Sequence, residues 1–186
     1  MPRTTDENSA AAPWKEAIVR AETGRPVPWS EVIGQGPDCT VVAQTLTAYS
    51  EAMRIDLLVS GRQISGAAPM RFLPYALVAE MDKSDLPSLP DDFLRFAVLI
   101  DDVIATNLRI RGSRQRGERA LISDGGHGTN DLAKVSYWVR GLPDPAGRLE
   151  LIVEWLAAGI PETRTPIDTA LVMEAAAQSK PLSRPD

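Results

Sequence analysis

Residues 133–167 read AKVSYWVRGLPDPAGRLELIVEWLAAGIPETRTPI, and this stretch determines the predicted fold class. Apolar residues occupy every second position from Val135 to Val139, and alternation resumes between Leu149 and Trp155. Because successive side chains of a strand point to opposite faces, the alternation predicts strands with one buried and one solvated face. A proline-glycine turn separates these two strands, and a glycine break precedes a third.

Four further strands are predicted upstream, in two hairpins. Residues 39–50 and 52–60 form the first hairpin, and residues 93–100 and 103–111 flank the Asp101-Asp102 turn of the second. Seven strands in hairpin order, with no helices between them, favour antiparallel sheets packed as a sandwich or rolled into a barrel. We therefore predict a mainly β protein, an antiparallel β-sandwich of about seven strands.

The chain divides into three predicted parts. Residues 1–25 form a polar tail, which either ends in a short helix docked by Trp14 or frays. Residues 26–167 form the β-sandwich domain, with a long irregular insertion at 61–92. Residues 168–186 form a C-terminal helix and tail.

Three local features complete this division. Asp168 is the expected N-cap of the C-terminal helix, and Ile167 and Val172 occupy the staple positions. We expect this helix to cover the sheet face that carries Trp138. Residues 112–128 read as a polar, glycine-rich loop.

Composition bounds the possible functions. The apolar fraction of 44% and the charged fraction of 24% are typical of a soluble globular protein, and the net charge of −5 argues against nucleic-acid binding. One cysteine, Cys39, excludes an internal disulfide and favours a reducing, cytoplasmic environment. The first residues resemble no secretory signal, and no run of about 20 apolar residues predicts a membrane span.

The C-terminal half resembles an uncharacterised family of small bacterial proteins that is common in actinobacteria. The resemblance rests on Trp138 before the turn at 141–147, on Glu154-Trp155, on the segment 159–164 and on the alanines at 175–177. The family tends to have Asp-Gly where this chain has Asp101-Asp102. The resemblance implies an immunoglobulin-like β-sandwich. It carries no known activity, so no functional residue is transferred.

Catalytic motifs are scarce. The single histidine, His127, rules out metal sites that need two histidines from one chain, and no nucleophile-elbow motif surrounds any serine. Residues 112–117 imitate a phosphate loop, but Glu118 stands where lysine is required. We therefore predict no enzyme activity, no catalytic residue and no cofactor. A hydrolase that uses His127 stays open as an alternative.

Acidic pairs offer a second kind of candidate site. Asp91, Asp92, Asp101 and Asp102 would hold calcium if loops brought them together, because calcium prefers six to eight oxygen ligands. Aspartate is also an ordinary turn residue. Sequence leaves both interpretations open, and we predict no metal.

Interaction surfaces are the remaining candidates. Trp29 and Trp138 are candidate stacking platforms for a small ligand or carbohydrate, provided that the indole is exposed. An arginine cluster surrounds one predicted loop and is a candidate interaction patch: Arg109, Arg111, Arg114, Arg116 and Arg119. The leading hypothesis is a non-enzymatic protein that binds a protein partner or forms a homo-oligomer. A ligand-binding module is the second.

Overall fold

The computed structural model describes residues 13–61, 91, 93–107, 119–129 and 131–182. This part of the chain contains two α-helices, α1 (Pro13–Ala21) and α2 (Thr169–Ala177). Its strands are β1 (Glu22–Thr23), β2 (Arg25–Val27), β3 (Glu31–Gln35), β4 (Cys39–Ala48), β5 (Ala52–Gly61), β6 (Arg95–Ile100), β7 (Val103–Thr106), β8 (Ala120–Gly128), β9 (Leu132–Arg140), β10 (Leu149–Trp155), β11 (Ile160–Pro166) and β12 (Lys180–Pro181). Neither helix of the described part is long and apolar enough to cross a bilayer.

The larger sheet has six strands, all paired antiparallel. Its order is β2-β4-β5-β9-β8, and β3 also pairs with β4, next to β2 along the same edge. The predicted first hairpin is confirmed as β4 and β5, which pair from Cys39↔Gly61 to Ala48↔Met53. Residues 25–35 supply β2 and β3.

The smaller sheet has four antiparallel strands in the order β11-β10-β6-β7. The second predicted hairpin is confirmed as β6 and β7, with Ile100 paired to Val103 across the Asp101-Asp102 turn. Strand β7 ends at Thr106, and positions 108–111 of the prediction lie outside the described residues. A 3₁₀ turn at Leu156–Ala158 links β10 to β11.

One predicted loop is a strand. Residues 112–128 were expected to form a polar, glycine-rich loop, and this expectation is wrong for the described part, because β8 occupies Ala120–Gly128. Glycine and aspartate are unfavourable in strands, but β8 is an edge strand whose backbone pairs with β9. A bulge between Ser123 and Gly126 accommodates the least favourable residues.

The two sheets contribute side chains to one apolar core. Alternate residues of β5, including Ile55 and Leu57, share this core with alternate residues of β6. The latter are Phe96, Val98 and Ile100, and each of these five side chains is at most 1% exposed. The rings of Phe96 on β6 and Tyr137 on β9 lie 4.8 Å apart between the sheets. This shared core confirms a mainly β protein built from antiparallel sheets.

Trp155 belongs to the same core and is 6% exposed, as its place in the strand alternation predicted. It shares the inner face of β10 with Leu151 and Val153, neither of which is exposed. The alternation of the sequence therefore fixed the buried face of this strand.

Helix α2 closes one side of the core. The predicted cap is confirmed, since the Asp168 carboxylate accepts a hydrogen bond of 2.9 Å from the Ala170 amide. Val172, Ala175 and Ala176 are buried in the main core, and the helix contacts β2 and β4. The sequence predicts that Leu171, Ala175 and Gln178 share one side of this helix. Ala175 is buried and Leu171 packs against the core, but Gln178 is exposed, so this prediction is wrong for Gln178.

Helix α1 takes the position predicted for α2. The expectation that the C-terminal helix covers Trp138 is wrong: Trp138 packs with Ile18 of α1 and with Ala52, and Trp14 adds to this second cluster. Of the two alternatives for the N-terminal segment, the docked helix is the one observed. Strand β1 then pairs with β12, which joins the two ends of the described chain.

Candidate functional site

The outer face of the six-stranded sheet carries the features most relevant to function. The pairing register of the strands divides this face into three zones, each of which runs across the strands. Helix α1 contacts the zone at Trp138, a polar network lies beside it, and an apolar zone follows near the opposite end of the strands.

In the first zone, Trp138 is buried and electrostatically anchored. It is 2% exposed, its ring centroid lies 4.9 Å from that of Tyr49, and its Nε1 donates a 3.0 Å hydrogen bond to Asp124. Lys15 of α1 forms an ion pair with the same Asp124 carboxylate and lies 5.9 Å from the Trp138 ring centroid. A lysine of the helix therefore pairs with a carboxylate of the sheet.

The protonation of Asp124 reflects these contacts. Burial tends to raise the pKa of this carboxyl group, but hydrogen bonds from Lys15 and Trp138, together with the positive charges of Lys15 and Arg54, lower the pKa below its usual value. Both partners favour the charged carboxylate. The α1 contact is therefore strongest when Asp124 is ionised.

The second zone is a closed polar network. The Ser136 hydroxyl donates to Asp56 over 2.6 Å, and Arg54 donates to Asp56 over 3.1 Å and to Ser136 over 3.2 Å. These three side chains thus use one another as hydrogen-bond partners, and no histidine belongs to the network. The arrangement provides a polar boundary on the sheet rather than an activated serine.

The third zone is apolar, and its outermost side chains are exposed. Val32, Val42 and Leu58 are opposite one another on β3, β4 and β5, and Leu132 lies diagonally from Leu58 on β9. We call these four residues the outer strip. Val32 is 51% exposed and Leu132 is 40% exposed, while the two central residues are half-buried.

The outer strip was not predicted from the sequence, although β5 contains one irregularity that points to it. Leu58 interrupts the polar positions of β5 in the run Leu57-Leu58-Val59, where a solvated face would carry a polar residue. A single break in the alternation does not show which residues of other strands lie beside Leu58. Only the strand register shows that Val42 and Leu58 lie side by side.

Neither candidate tryptophan forms an open stacking platform. Trp138 is buried beneath α1, as described above. Trp29 is half-buried, and it packs against the main core. The exposed indole required for a carbohydrate platform is therefore not found at Trp138, and Trp29 offers only part of its surface.

His127 lies in a strand. It is exposed near the end of β8, opposite Lys134, and the interpretation of its segment as a flexible loop is wrong. Within the described part of the chain its side chain makes no hydrogen bond or ion pair. No arrangement of a nucleophile and a base is formed there by the described residues.

Of the arginine cluster, the structure describes Arg119 alone. The other four, Arg109, Arg111, Arg114 and Arg116, lie outside the described residues. Arg119 donates to Asp101 over 2.9 Å and to the Leu142 carbonyl, so it fixes the β9–β10 turn to the β6–β7 turn.

The acidic pairs show no convergence where they are described. Asp101 accepts weaker hydrogen bonds from the amides of Asp144 and Arg148, in addition to the bond from Arg119, and its φ of 55° is left-handed. Asp91 and Asp102 are exposed, and Asp92 lies outside the described residues. Among the described residues no three carboxylate, histidine or cysteine side chains are placed to hold a metal ion.

A cavity of about 910 Å³ lies beyond the outer strip, where β5 ends. Cys39, Ser60 and Asp131 are among its lining residues. Burial raises the pKa of the Cys39 thiol to about 11. The thiol is therefore protonated at neutral pH and is a poor nucleophile.

Comparisons with protein families, with curated proteins and with solved structures gave no match to this chain. The resemblance of the C-terminal half to an actinobacterial family stays a prediction. The function is therefore inferred from the geometry of the described residues.

Proposed function

We propose that this protein is a non-enzymatic β-sandwich that works by binding another protein through the outer strip. One observation carries the proposal: four apolar side chains adjoin across β3, β4, β5 and β9, and the outermost two, Val32 and Leu132, are exposed. They lie on the sheet face that binds α1, on the other side of the polar network. Contiguous exposed apolar surface of this kind marks interaction sites in soluble proteins.

The fold assignment within this proposal rests on the shared core. Two antiparallel sheets that bury their inner faces against each other fit a β-sandwich. The immunoglobulin-like assignment comes from the resemblance of the C-terminal half. The cytoplasmic location stays a prediction from the single cysteine.

The alternative functions receive less support. A carbohydrate module would need the exposed indole of Trp29 or Trp138; α1 packs on Trp138, and Trp29 is half-buried against the main core. A hydrolase would need His127 beside a nucleophile, and the described residues provide none. Binding through the outer strip uses Val32 and Leu132, which are exposed, so we retain it.

Photo-cross-linking tests the proposal. A photoreactive residue replaces Ser60, which is exposed and opposite Leu132, in cells that produce the protein naturally. The matched control carries the same group at Glu162, an exposed strand residue of the other sheet. We expect a discrete cross-linked product from position 60 and none from position 162.

The second arm changes the outer strip itself. Val32→Lys combined with Leu132→Lys should abolish the product, whereas Val103→Lys combined with Ile104→Lys adds equal charge elsewhere and should preserve it. A product of twice the chain mass identifies self-assembly, and another mass identifies a different protein. Equal cross-linking by both double variants, or no product from position 60, contradicts the proposal.

A further inference from the structure

The contact between α1 and the sheet shows how this face accepts a helix. Ile18 and Trp14 provide the apolar side of α1, and they pack against Trp138. Lys15 supplies a charge at the margin, which pairs with Asp124 on β8. This face therefore accommodates a short helix that has an apolar side and a complementary charge at its margin.

The outer strip has dimensions that suit a second helix. Val32 and Lys134 are at the ends of one row across four adjacent strands, which spans about 14 Å at the usual strand separation. A helix of nine residues, the length of α1, is about 13.5 Å long. The distance from Trp138 to Lys134 along β9 is about 13 Å. The axes of packed helices are about 8–10 Å apart. A second helix therefore fits beside α1.

The sheet contributes a lysine to this row, whereas it contributes the Asp124 carboxylate to the α1 contact. Lys134 is exposed and forms no ion pair with the described residues, and His127 lies opposite it on β8. The carboxylate of Asp56 is already held by Arg54 and Ser136. Where α1 brings a lysine to a sheet carboxylate, an occupant of the outer strip must bring a carboxylate to a sheet lysine.

We infer that the outer strip binds an acidic amphipathic helix of a partner protein, which lies beside α1 with its apolar side on Val42 and Leu58 and its carboxylates at Lys134. This inference rests on the proposed function and specifies the chemistry of its partner. Charge complementarity and the neighbouring helix are its two supports.

Selection from a displayed library of helical peptides tests the inference on the full-length protein. The library varies residues on both faces of the helix, without a bias toward either charge. We expect selected peptides to combine an apolar face with glutamate or aspartate and to lose binding to the Val32→Lys, Leu132→Lys double variant. Lys134→Glu should weaken the selected acidic peptides by about tenfold or more.

Charge reversal provides the internal control. Peptides in which lysine replaces the acidic residues should bind the Lys134→Glu protein more tightly than they bind the wild type. Lys180 is also exposed but lies far from Lys134 in the sequence, so Lys180→Glu should leave binding of the acidic peptides unchanged. Thermal unfolding of each variant shows that the fold persists.

The outcomes separate this inference from the proposed function. Neutral or basic peptides, binding insensitive to the double variant, or no binders at all overturn the acidic-helix inference. If cross-linking in cells still depends on the outer strip, the proposed function stands with a partner of different chemistry. If cross-linking is also independent of the strip, both fail.

Discussion

Replacing Trp138 tests the unexpected role of α1 most directly. The indole is 2% exposed, packs with Ile18 and Ala52, and donates a hydrogen bond to Asp124. Trp138→Ala removes all three interactions. The variant should therefore lose stability and release α1 at the same time.

The expected loss is about 4 kcal/mol. Truncation of a buried tryptophan to alanine costs about 3–5 kcal/mol. A hydrogen bond to a charged group contributes about 1.5–3 kcal/mol, but Asp124 keeps Lys15 and remains partly solvated, so the two terms overlap. Trp138→Phe keeps the ring contacts and loses the N–H donor, so we expect about 1–2 kcal/mol.

Two measurements check these values. Urea denaturation followed by far-UV circular dichroism gives the change in unfolding free energy. Limited trypsin digestion under native conditions reports on α1, because Lys15 and Arg20 lie within it. We expect rapid cleavage of α1 in Trp138→Ala and slow cleavage in the wild type and in Trp138→Phe.

A specific result would refute this reasoning. If Trp138→Ala costs less than about 1 kcal/mol and α1 is cleaved at the wild-type rate, then α1 does not depend on Trp138. The contact between α1 and this sheet face would then be unimportant for the fold.

Four other experiments give independent checks. Since two hydrogen bonds hold the pKa of Asp124 below its usual value, its stabilisation is present above about pH 4 and is lost as pH falls through the lowered pKa; urea titrations at neutral and acidic pH should show Asp124→Asn costing stability only at the higher pH. Asp168→Ala should cost about 0.5–2 kcal/mol in thermal or urea unfolding, whereas Asp168→Ser should cost much less, because serine also caps helices. Asp101→Ala should be less stable than Asp101→Gly by about 1 kcal/mol, since both lose the carboxylate and only alanine is strained at a φ of 55°; equal stabilities would exclude the strain. Cys39 should react with a thiol reagent at neutral pH only in denaturant, and rapid reaction of the native protein would contradict its burial and raised pKa.

The candidate site illustrates the limit of prediction from sequence. Alternation correctly placed Trp138 on the face opposite Tyr137, because neighbouring residues of a strand point in opposite directions. It could not choose which helix covers that face. Both terminal segments carried helix signals, and the choice depended on the tertiary positions of α1 and α2.

The contact between Asp101 and Arg119 likewise depends on the tertiary structure. Sequence indicated a turn at Asp101 and an arginine-rich segment that ends near Arg119, but it gave no reason to join them. Their 2.9 Å ion pair forms because the β6–β7 turn and the start of β8 meet in the folded chain. Contacts of this kind depend on sheet topology rather than on local pattern.

By itself, the sequence determined the class of the fold, the hairpins β4–β5 and β6–β7, the Asp168 cap and the buried face that carries Trp155. These features depend on residue periodicity and short-range hydrogen bonds, which can be recognised from the sequence alone. Tertiary structure alone decided that the glycine-rich segment of β8 becomes an edge strand, that α1 covers Trp138, and that Val42 and Leu58 adjoin on the outer face of the larger sheet. Each of these depends on pairing between segments distant in sequence, so only the assembled sheets could fix it.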